Sequence, residues 1–190
     1  QRLVGLRDAN LSVNGYFDNA TGFSHDAFES ISGDSEVIMT MGTSRGDAAC
    51  GMVADQSSYN IDRSQGSAIA TTVEFSTSDG NGLNWGVVLT DGPEQTDSSA
   101  ANSASVDNAA STSNGARAVI SVESIASGSA VIKIQESTND SAWSDMMTFS
   151  TVSGRTSEAT SMSGSVARYL RIQSSGSFSD LVYVVQISRL

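Results

Sequence analysis

Apolar residues along the chain come in short groups separated by Gly, Asn, Asp and Ser. In residues 11–17, LSVNGYF, Leu11, Val13, Gly15 and Phe17 alternate with polar or small partners. That two-residue period belongs to a strand with one buried face. Runs of the same character recur at EVIMTM (36–41), AIATTVEFS (68–76), LNWGVVLT (83–90), ARAVISV (116–122), AVIKIQE (130–136), MMTFS (146–150), ARYLRIQ (167–173) and LVYVVQIS (181–188). Many short strands joined by turn residues predict a mostly β chain, a β-sandwich or barrel. One stretch, SHDAFESI (24–31), has helical spacing instead. Ser24 is placed to cap it, Asp26 lies in its first turn, and Ala27, Phe28 and Ile31 form one apolar stripe.

The segment DGPEQTDSSAANSASVDNAASTSNG (91–115) breaks the pattern. It carries the only proline and a single large aliphatic residue, Val106, so it has no core of its own. Two readings follow: a flexible linker marking an internal division, or a long polar arm that packs only against a neighbouring subunit. The whole chain, 1–190, is otherwise read as a single β domain, with that possible division at 91–115.

Composition narrows the function. Ten Lys and Arg against 21 Asp and Glu give a net charge of −11, and Lys133 is the only lysine. A chain this acidic is repelled by phosphate, which disfavours sequence-independent nucleic-acid binding. The lone cysteine, Cys50, excludes an internal disulfide framework and a cysteine-based metal site. No apolar run approaches the roughly 20 residues of a spanning helix, and no basic leader with an apolar core opens the chain. No membrane partner is expected.

Candidate chemistry is sparse. GTSRG (42–46) matches the nucleophile-elbow pattern around Ser44, but the only histidine, His25, precedes it and no amphipathic helix follows. Oxygen-rich stretches offer Asp34, Glu36 and Asp47, or Asp140 and Asp145, to calcium, yet neither has the spacing of a known ligand loop. GNGLNWG (80–86) lacks the spacing of a phosphate-binding loop and reads as a hairpin turn entering a strand. No catalytic, cofactor-binding or metal residue is assigned, and no enzyme is expected. Trp143, in ESTNDSAWSDM (136–146), follows the turn residues Asn139, Asp140 and Ser141. It is expected to fold over apolar side chains such as Met146 and Leu170, and the alternatives are a sugar platform, shared with Trp85, or a subunit contact.

GLRDANLSVNGYFDNATGFSHDAFESI (5–31) resembles the opening of siphophage-type major tail tube proteins. Gly5, Leu6, Asp8, Ala9, Gly15, Phe17, Asp18, His25, Asp26 and Ala27 carry the likeness. It continues through Gly46, Asp47 and Ala48, a tyrosine-centred segment at Tyr59, the strand at 68–76, and Gly86, Val87, Val88 and Leu89. The half from AVIKIQ to ARYLRI is similar to a terminal β-module of the same group and of other phage structural proteins, with a D-x-x-x-W turn, a strand with Phe and an RYLR segment.

The resemblance implies a non-catalytic virion subunit, made in the host cytoplasm and assembled into stacked, hexameric rings. Its partners are copies of itself, other tail proteins, and DNA passing through the lumen without specific binding. The negative charge agrees with such a lumen. Glu74, Asp79 and Glu123 are the lumen or interface candidates. A capsid decoration or cement protein and a carbohydrate-binding β-sandwich module are the alternatives.

Overall fold

The computed structural model describes residues 8–30 and 33–190. The strand-rich expectation holds: the described residues form one short helix and a single antiparallel sheet of 12 strands that does not close on itself. Two compact units divide the chain. One holds the described residues up to 35 with 52–83, and the other holds 36–51 with 84–190. Segment 91–115 lies within the second unit.

In the first unit, β1 (Asn10–Tyr16) pairs antiparallel with β4 (Ala70–Thr77), and β4 pairs with the outer part of β3 (Ala48–Asp62). α1 is Ser24–Phe28, shorter than the apolar stripe predicts, and Ile31 falls outside the described residues, as do Gly5 and Leu6. Ser24 is not the cap. It is the first helical residue, with Phe23 at the cap position and no side-chain cap bond. The Ser24 hydroxyl instead donates to Tyr16 O (2.8 Å) and accepts from the Asp18 N–H (3.0 Å), tying the helix to the end of β1.

In the second unit, the sequence runs 116–122 and 130–136 belong to one strand, β9 (Ala116–Ser137), and 167–173 and 181–188 to another, β12 (Tyr169–Arg189). The two pair over almost their full length. Straight, β9 would reach on the order of 70 Å. Residues from both of its ends, Ala118 and Ile120 as well as Ile132 and Ile134, nevertheless share one core with Phe149, Leu170, Ile172 and Ile187, so the ribbon bends. Its buried face also changes. On β12 the buried positions are Leu170, Ile172 and Ser174, then Leu181, Tyr183, Val185 and Ile187, with Gln186 and Ser188 on the other face buried as well near the strand's end. The parity switches across Gly176 (φ 118°), and Gly128 (φ 82°) stands in the same stretch of β9. A bulge sets the remaining register: Val182 faces Ser124 but Tyr183 faces Val122, leaving Glu123 as the extra residue.

Four elements cover the outer edge of β12: β5 (Asn84–Val88), β6 (Gln95–Asp97), β7 (Ala101–Asn102) and β8 (Val106–Asp107). The last three come from the polar segment, which runs back along β12 from Tyr183 to Tyr169. Backbone pairing holds it where side-chain burial does not. Asp97 anchors it, accepting from Gln95 Nε2 (2.8 Å), the Tyr183 hydroxyl (2.9 Å) and the Ser174 hydroxyl (2.6 Å). β10 (Ser144–Thr148) and β11 (Thr156–Met162) flank β9 on its other side. The turn 80–82 links β4 to β5, which are not hairpin neighbours: each pairs with β3, β4 along residues 54–62 and β5 along residues 48–51.

Candidate functional site

The first unit has two unlike faces, because residues facing one another across an antiparallel pair point the same way. Leu11, Val13 and Gly15 of β1 line up with Phe75, Val73 and Thr71 of β4, and these with Gln56, Tyr59 and Ile61 of β3. α1 covers this apolar face. The Phe28 ring lies 6.1 Å from Phe75 and 6.3 Å from Tyr59, and Gln56 Nε2 donates to Phe28 O at 2.9 Å. His25 belongs to the same layer, 4.9 Å from the Phe17 ring, with Nδ1 3.3 Å from the Tyr59 hydroxyl and Nε2 3.3 Å from Glu29.

The opposite face is polar. Asn10, Ser12, Asn14 and Tyr16 stand beside Ser76, Glu74, Thr72 and Ala70, with Asp55, Ser58, Asn60 and Asp62 in the third row. All twelve side chains are exposed or half-exposed. Neighbouring strands are stitched by Ser12 Oγ to Glu74 Oε1 (2.8 Å), Thr72 Oγ1 to Asn14 Oδ1 (2.9 Å) and Ser76 Oγ to Asn10 Oδ1 (2.8 Å). Three carboxylates stand on this face, and none of its twelve positions is Lys or Arg. It is a hydroxyl- and amide-rich surface of negative sign.

Of the three candidates from the sequence, Glu74 sits on this face. Asp79 belongs to the turn after β4, where its carboxylate accepts from the Asn81 N–H (3.0 Å) and Asn81 Nδ2 (3.0 Å). Glu123 lies in the second unit, as the extra residue of the β9 bulge, 3.5 Å from Arg155. Asp55 and Asp62, which join Glu74, escaped the sequence reading. The stretch 48–62 does not alternate cleanly, and a bulge between Gln56 and Ser58 shifts its parity midway.

The other candidates have local roles. Ser44 lies in a turn between β2 (Ser35–Thr40) and β3, where its N–H donates to Asp47 Oδ2 (2.9 Å); no helix follows it. Asp34 and Glu36 accept from different hydroxyls, those of Ser78 and Ser157, each at 2.5 Å. Among the described residues no group of three His, Cys, Asp or Glu could hold a metal ion. Asp140, at φ 58°, closes the β9–β10 turn, whose Asn139 Oδ1 accepts from the N–H groups of Ser141 (3.1 Å) and Ala142 (3.0 Å). Trp143 is half-buried, with the Arg171 guanidinium 4.3 Å from its ring centroid. Arg171 is held in turn by Gln135 Oε1 (2.9 Å), and Gln135 by Asp145 (2.8 Å). Trp85 is 58% exposed on β5, opposite the buried Cys50.

Comparison of the chain with protein-family models, with curated proteins and with solved structures finds no match in any of the three. The polar face therefore stands on its own geometry.

Asp107 and Tyr183 are among the ionisable groups displaced by their surroundings. Two hydrogen bonds from Arg168, both 2.6 Å, hold the Asp107 carboxyl down to about 2. Burial, and then the Asp97 carboxylate, push the Tyr183 phenol well above its usual range.

Proposed function

We propose that the chain is a structural subunit of a phage tail tube, assembling as stacked rings around a channel for DNA, with the polar face of β1, β4 and β3 turned to the lumen. The observation that carries the reading is that face: twelve accessible polar or small positions with three carboxylates and no cation. A wall of this kind repels the phosphate backbone at long range and offers no Lys or Arg to exchange for its counterions, so DNA slides without being retained. The net charge of −11 has the same sign. The open sheet adds a second support. β1 pairs with β4 on one side only among the described residues, leaving a strand edge that a neighbouring copy can continue. Rings built this way use heterologous interfaces, which close by rotation and stack by translation.

Negative-stain images of the purified chain at rising concentration should show rings or tubes with a central hole, and immunogold labelling of particles should mark the tail. A chain that stays monomeric at every concentration, or a label confined to the capsid, would overturn the proposal.

A further inference from the structure

We propose that the β3–β4 turn of one copy docks through Arg63 into an acidic depression on the second unit of a neighbouring copy. This inference rests on the self-assembly proposed above and names the contact.

Among the described residues every Lys and Arg but one is engaged within its own chain. Arg45 holds Leu89 O and Gln95, Lys133 holds Asp145, Arg155 holds Glu123 and Arg168 holds Asp107. Arg171 is taken by Gln135 and Trp143, Arg189 by three backbone carbonyls, and Arg117 is buried and engaged. Arg63 is the exception. It is exposed, follows the last residue of β3, and opens the turn that returns through Gly66 (φ 81°), where the Ser67 N–H donates to Ser64 O at 3.2 Å. At the same end of the sheet Ile61 is 48% exposed on the apolar face, and Tyr16 is 74% exposed on the polar face. Tyr16 faces Ala70, which faces Asp62. The tip thus offers one exposed, unsatisfied guanidinium.

The second unit carries the complement. Pro93, Glu94, Ser121, Glu123, Tyr183 and Val184 line an open depression of about 180 Å³, room for one side chain but not for a helix. Its walls are apolar at Pro93, Tyr183 and Val184, and its charges are both negative. Glu94 has no partner among the described residues, and Glu123 is shared only with Arg155 at 3.5 Å, with both side chains more than half exposed. An arginine matches both properties, its methylene stem against the apolar walls and its guanidinium against the carboxylates, and a planar fork suits a carboxylate better than an ammonium does. On a chain of net charge −11, contact between copies is repulsive by default, so a free cation is best placed where two copies meet.

The test is a charge swap on the purified full chain, with assembly followed by sedimentation and negative stain. Arg63→Glu and Glu94→Arg should each raise the concentration needed for assembly by on the order of tenfold or more, and the double variant should return most of the loss. All three should keep the wild-type circular dichroism, since both positions are exposed. As an independent readout, Arg63→Cys combined with Glu94→Cys should give disulfide-linked multimers on mild oxidation, while buried Cys50 stays out of the reaction. If Arg63→Glu assembles like the wild type, or the swap restores nothing and no cross-link forms, the docking is wrong while wild-type tubes leave the tail-tube reading standing. A wild-type chain that never assembles overturns both.

Discussion

At the level of single residues, the polar groups that matter are those with no room to move. Asp97 is 8% exposed, and its three donors tie the polar segment to β12. Removing one of them, in Tyr183→Phe, is expected to cost about 1–3 kcal/mol, read as a lower Tm, because the buried carboxylate loses a partner that water does not replace. Asp107 gives a pH dependence of known sign. Its folded pKa lies below the unfolded value of about 4, so the Arg168 pair contributes fully above that value and is lost as pH falls through about 2. A carboxyl NMR titration should place the Asp107 midpoint at about 2, and Arg168→Ala should move it back up; a midpoint unmoved in the variant would refute the pairing. Cys50 is 1% exposed and burial pushes its thiol up, so it should ignore a thiol reagent in the native chain and react fully once unfolded. None of these three environments is visible in the sequence, where Asp97 and Asp107 are two acids in a tract of Ser and Ala.

At the level of elements, the long β9–β12 ribbon depends on two glycines. A Cβ on Gly128 would overlap the backbone carbonyl of Ser177, and one on Gly176 that of Ser129; both residues have positive φ. Backbone cannot step aside as a flexible side chain can, so Gly128→Ala and Gly176→Ala should each destabilise by more than about 1 kcal/mol in denaturant unfolding. Gly154→Ala, where a Cβ meets open space, is the control and should stay within about 0.5 kcal/mol. A small effect at all three positions would mean that the ribbon tolerates a different bend. Alternation located most strands and the Asn139–Asp140 turn correctly, because both signals are local. It did not reveal β3, where small residues such as Ala48, Ala49 and Gly51 mask the period. Nor did it reveal that four apolar runs make two strands, since Ser124–Ser129 continues β9 without burying a side chain larger than Ile125.

At the level of the whole molecule, the polar face gives the tail-tube reading its sharpest consequence. Tubes carrying Glu74→Lys together with Asp62→Lys should retain DNA, and the retention should weaken steeply as salt rises, whereas wild-type tubes should retain none at any salt. Tubes of both kinds that hold DNA equally would remove the face from the lumen. Glu74 was legible as a candidate because it alternates with Val73 and Phe75 in a clear strand. Its companions Asp55 and Asp62 were not, because their register depends on a bulge and on pairing with β4.

The amino-acid order alone determined the strand-rich class, the short helix, the turn chemistry, the absence of a disulfide framework and the excess of negative charge. Each of these is a property of neighbouring residues or of a sum over the chain. The tertiary structure decided which runs join into one strand, where the polar segment lies, which carboxylates share a face and which cation among the described residues is left unpaired. Those features arise between residues distant in sequence, and a single bulged residue, at Ser57 or Glu123, is enough to turn a side chain from one face of a sheet to the other.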